Sequence, residues 1–101
     1  MHVPDDSVAA ILDFAEREFD LVTFLRERAA CGGWPAPVTP GDWLAWVLDE
    51  AEIQRAEART AVDPAPHHRF ASYLRAVAVF LDALGVTPAS LPWRTAEGAD
   101  A

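Results

Sequence analysis

The sequence predicts an all-α domain, an antiparallel bundle of three helices spanning about 5–30, 40–61 and 65–84. Three observations carry that expectation. Apolar residues recur at spacings of three and four within each span, start and stop residues stand at the ends, and no stretch shows the alternation of a half-buried strand. With 101 residues, 51% apolar and 24% charged, the chain has the material for one core and no second.

The first helix opens at Pro4-Asp5-Asp6-Ser7, where a cap and negative charge favour a helix N-terminus, and closes at Gly32-Gly33, which admits a left-handed C-cap. Val8, Ile11, Leu12, Phe14, Ala15, Phe19, Leu21, Val22 and Leu25 gather on one broad apolar face. Residues 31–39, with two glycines and two prolines, read as a linker.

Thr39-Pro40-Gly41-Asp42 then supplies a cap, a proline at the first helical position and the far half of a capping box. The main stripe of this second helix is Trp43, Leu44, Val47, Leu48 and Ala51. The third helix follows Asp63-Pro64-Ala65-Pro66 and ends before Gly85, with Phe70, Tyr73, Leu74, Val77, Phe80, Leu81 and Leu84 as its core face. Its opposite side, Ser72, Ala76, Val79 and Ala83, is a second stripe of small residues that asks to be covered. Beyond it a short C-terminal turn, capped by Thr87, and a tail carrying Leu91 and Trp93 are expected to pack on the bundle. The domain then covers 1–93 and residues 94–101 form a disordered tail.

Sixteen acids face eight basic residues, all arginine, for a net charge of −8. Direct binding of nucleic acid or anionic membrane is therefore not expected, and a partner with a basic or arginine-rich surface is. Charges interrupt every apolar run before it reaches bilayer length, and no basic-then-apolar leader is visible, so the expected location is cytoplasmic. Arginine without lysine, with abundant alanine, fits a GC-rich bacterial genome.

Glu18 has Phe14, Ala15, Leu21 and Val22 as helical neighbours, which places a carboxylate within the apolar face and calls for an arginine, a tyrosine hydroxyl such as that of Tyr73, or solvent at an interface. His67 and His68 point about 100° apart on a helix and have no ligand one turn on, so no metal or cofactor is expected. Cys31, at the negative end of the first helix, reads as a small packed residue rather than a nucleophile.

Two surfaces point to binding. Trp46 and Ile53, off the main stripe and flanked by Asp49, Glu50 and Glu57, have the composition of an aromatic anchor among acids. Asp13, Glu16, Asp20 and Glu27 form an acidic strip on the first helix. The function expected from this set is a small, non-enzymatic protein–protein interaction module: an adaptor, an accessory subunit or an inhibitor. A homodimer through the third helix's small-residue stripe is a further expectation. The alternatives are an acidic nucleic-acid mimic or antitoxin-like inhibitor acting through the strip, and a ligand-binding or catalytic bundle centred on Glu18.

Overall fold

The computed structural model describes residues 5–91, so His2, Trp93 and the proposed tail lie outside the described residues. Four α-helices make up the described chain, which contains no strand: α1 (Asp5–Phe19), α2 (Leu21–Gly32), α3 (Pro40–Ala58) and α4 (Ala65–Ala83). The all-α class holds, and the count of three helices is corrected to four.

The extra helix arises at Asp20. This residue adopts a left-handed conformation, φ 52° and ψ 34°, which aspartate tolerates better than most residues with a Cβ. Backbone bonds continue around it, Asp20 N–H to Glu16 O and Phe24 N–H to Asp20 O, so the helix axis turns at little cost in hydrogen bonds. The first turn of α2 is then capped from α1: the Glu16 carboxylate accepts from both the backbone N–H and the hydroxyl of Thr23.

The turn redirects the apolar stripe. Val8 and Ala15 are the buried residues of α1, and Leu21, Leu25 and Ala29 those of α2. Drawn on one straight helix, these two sets lie roughly 100° apart, about one residue of rotation. Bending at Asp20 lets both face the same core.

Helix α2 closes on a left-handed Gly33 with the paired bonds of a Schellman motif, Trp34 N–H to Ala29 O and Gly33 N–H to Ala30 O. Gly85, φ 86°, closes α4 in the same way through Val86 N–H to Leu81 O and Gly85 N–H to Asp82 O. The capping box of α3 forms as its residues dictate: Thr39 Oγ1 accepts from the Asp42 N–H, and the Asp42 carboxylate accepts from the N–H groups of Thr39 and Val38.

Helices α3 and α4 are the principal packed pair, running antiparallel, and α1 lies along α4. Leu44, Val47 and Ala51 of α3 meet Leu74, Val77, Ala78 and Leu81 of α4 in one core with Leu21 and Leu25. Helix α2 crosses from one to the other, placing Phe24 edge-on to Phe70 of α4, ring centroids 5.1 Å apart, and Arg28 against α3. The segment after α4 forms no helical turn, which corrects that expectation, yet it packs: Val86 and Leu91 are buried, and Ala89 N–H bonds to Gly41 O.

Candidate functional site

Trp46 and Glu50 are not surface residues. Trp46 is 1% exposed, with the Trp34 ring of the linker 6.1 Å away, and Glu50 is 0% exposed. Five consecutive residues, Trp43 to Val47, are buried because α3 is covered by α4 on one side and by α2 with the linker on another. The exposed aromatic anchor expected on this helix is therefore corrected to a core element. Asp49 and Ile53 are half-buried and Glu57 exposed, so the five residues do not make one open patch.

Glu50 is instead the centre of a buried polar network. Arg28 donates to it twice, Nε to Oε1 at 2.9 Å and Nη2 to Oε2 at 2.7 Å, while lying 5.2 Å above the Phe24 ring. That pairing holds the Arg28 guanidinium above its ordinary pKa, against the opposing pull of partial burial. Gln54 Nε2 also donates to Glu50 Oε2, at 2.9 Å, which leaves Gln54 Oε1 free to accept from His67 Nδ1 at 2.8 Å. Because an amide oxygen only accepts, His67 Nδ1 is the donor of that bond, and Glu57 Oε2 lies 3.7 Å from the same nitrogen. The chain of bonds runs from α2 through α3 to α4 and ties three helices together. Arg28, Glu50, Gln54 and His67 line neither the groove between α1 and α4 nor that between α3 and α4.

Glu18 is exposed, which corrects its expected burial. On a continuous helix it falls between the apolar residues of both halves; once the chain turns at Asp20 it faces outward. It sits near Tyr73, whose hydroxyl is raised above its usual pKa first by burial and then by the Glu18 charge. That hydroxyl has no hydrogen-bond partner among the described residues.

The acidic strip is divided by the same turn. Asp13 pairs with Arg17 at 3.3 Å, Glu16 is held by Thr23, Asp20 occupies the junction, and Glu27 belongs to α2. Cys31 is exposed rather than packed. No group of three or more His, Cys, Asp or Glu side chains with the spacing of a metal site occurs among the described residues. No described helix is long and apolar enough to cross a membrane.

The surface feature that periodicity missed is apolar. Phe14 and Phe80, both on stripes assigned to the core, are 51% and 61% exposed. They line an open groove of about 400 Å³ between α1 and α4, with Ala10, Ile11, Ala76 and Val77 as its floor and walls. No charged side chain lines it, and Tyr73 is its single polar member. At one end Phe19, 44% exposed, stacks on Tyr73.

No family model, curated protein or solved structure matches this chain.

Beside the groove, Ser72, Ala76, Val79 and Ala83 of α4 form an exposed ridge, so nothing among the described residues covers the small-residue stripe. The nine apolar residues on one face of 8–25, broader than a single seam buries, are the sequence signal that could have found the groove. Its direction depended on the helix turn at Asp20, which periodicity read as continuous.

Proposed function

We propose that this chain is a protein–protein interaction module, an adaptor, accessory subunit or inhibitor without catalytic activity, whose contact surface is the groove between α1 and α4. One observation supports the reading: two phenylalanines at core spacing stand half-exposed or more around a groove free of charge. Exposing such rings to water forgoes roughly 1 kcal/mol or more of burial at each, and aromatic clusters of this kind are typical anchors of interfaces.

The occupant that fits is an apolar helix face of a partner protein. Glu18 stands on the exposed surface of α1, and the chain carries −8 overall, so arginine or lysine at the partner's flank completes the match. The acidic-mimic alternative has weaker support, because Asp13 and Glu16 already have partners within the chain.

The test places a photo-crosslinking residue at Ala76, in the groove, or at Arg59, at the exposed end of α3, and follows each in cells that express the chain. The reading expects one protein captured from position 76 and not from position 59. The purified pair should bind with an affinity that Phe80→Asp lowers by about ten-fold or more. Equal capture from both positions, or an affinity indifferent to Phe80, rules against it. Sedimentation of the purified chain as a dimer that Phe80→Asp dissolves would replace the foreign partner by a second copy.

A further inference from the structure

A second groove, on the other side of α4, differs from the first in carrying charge at its ends. It lies between α3 and α4 and has a volume of about 400 Å³. Leu44, Leu48, Ala51, Ala78 and Val79 supply its apolar surface. Leu48 and Val79 are 42% and 66% exposed, so this surface too stands open to water.

Because α3 and α4 run antiparallel, Arg55 and Arg75 meet at one end of the groove, and Asp82 stands at the other beside Pro88. Arg55 is held in place by Glu52, Nη2 to Oε1 at 2.8 Å, yet its Nε–H is buried and has no acceptor among the described residues. Arg75 makes no ion pair among the described residues. Glu52 neutralises Arg55, so the net charge at this end is the +1 of Arg75. That local positive charge is what suits this end to a carboxylate.

We propose that this groove is a binding site for a small aliphatic monocarboxylate. The head group accepts from the Arg75 guanidinium, with the Arg55 guanidinium beside it, and the saturated tail lies on Leu44, Leu48, Ala51 and Val79. Seven residues separate Arg75 from Asp82, about 10 Å along the helix axis, which sets the length of tail the groove accommodates. Asp82 selects against a second carboxylate at the far end, because a like charge there is repelled where water is partly excluded. The site is distinct from the groove between α1 and α4 and stands or falls separately from the interaction reading.

Backbone amide NMR of the whole chain, titrated with octanoate, tests it. Expected are saturable shifts confined to residues lining the groove, about ten-fold weaker binding in Arg75→Ala, and no comparable binding of suberate, the dicarboxylate of equal length, or of octylammonium. Asp82→Asn should admit suberate. Arg75 is exposed, so its loss leaves the fold intact, and unchanged spectra of the unliganded variant verify that. Absence of saturable shifts at millimolar octanoate overturns the proposal. So do shifts centred on Phe14 and Phe80, binding unaffected by Arg75→Ala, or equal binding of all three probes.

Discussion

Arg28 of α2 and Glu50 of α3 form a two-point ion pair around a carboxylate with no exposed surface, the bonds being 2.9 and 2.7 Å long. The guanidinium stays about one-third exposed, so it is partly hydrated while it satisfies a charge that is not. This asymmetry decides what each partner's loss does.

Arg28→Ala leaves Glu50 buried with only Gln54 to bond it, and should cost about 3 kcal/mol of unfolding free energy. The double replacement Arg28→Met with Glu50→Leu removes both charges and should recover most of that loss. Urea denaturation of the three proteins measures it. A small effect from Arg28→Ala would mean that water reaches Glu50.

Asp20 supports the turn between α1 and α2 through a left-handed backbone. Asp20→Gly should leave stability within about 0.5 kcal/mol, because glycine adopts this conformation freely. Asp20→Val should cost about 1–2 kcal/mol, since a β-branched residue pays the full penalty there. Thermal unfolding distinguishes these outcomes from equal effects, which would point to a helix that continues straight through.

The carboxylates of Glu16 and Asp42 are both held below their ordinary pKa values of 4.5 and 3.8, Glu16 by the Thr23 hydroxyl and N–H and Asp42 foremost by the Thr39 N–H. Each proton is therefore bound more tightly in the unfolded chain than in the folded one. Their contribution is complete above the unfolded-state values and drains away as pH falls through the lower folded-state values. Stability should decline below pH 4.5, and Glu16→Gln with Asp42→Asn should flatten that part of the curve. Denaturation midpoints between pH 6 and 2.5, roughly, provide the measurement; an unflattened curve contradicts both cap assignments.

At Gly41 the segment after α4 lies directly against the backbone of α3. A Cβ built there would lie 2.7 Å from the Thr87 carbonyl oxygen, next to the bond from Ala89 N–H to Gly41 O. Gly41→Ala should force that segment away and cost about 1–3 kcal/mol, despite alanine's better helix propensity. Calorimetry that finds Gly41→Ala neutral or stabilising would show that residues 86–91 do not pack as described.

Much of the fold was legible in the residues. Thr39, Pro40 and Asp42 announced the start of α3, and Gly33 and Gly85 its neighbours' ends, because capping chemistry is local. The turn at Asp20 was not, although a trace existed: the stripe Leu21, Leu25, Ala29 is rotated from that of Val8 and Ala15. A wide apolar face absorbed the difference, and with it came the misplacement of Glu18 and Phe14. Trp46 was misread for a tertiary reason, since whether the linker's Trp34 and α2 cover the second side of α3 is set by packing and not by spacing. Glu50, Gln54 and His67 carry no motif, and only the crossing of α2 brings Arg28 to them.

Phe14 and Phe80 are each more than half exposed, so neither ring should contribute much to folding. The unfolding free energy of the double variant Phe14→Ser, Phe80→Ser tests it most directly. A folded, cooperative protein within about 2 kcal/mol of the parent is the predicted result, against roughly 3–5 kcal/mol for each phenylalanine removed from a core. A loss of that larger size, or a chain that no longer folds, would contradict the claim and return both rings to the interior.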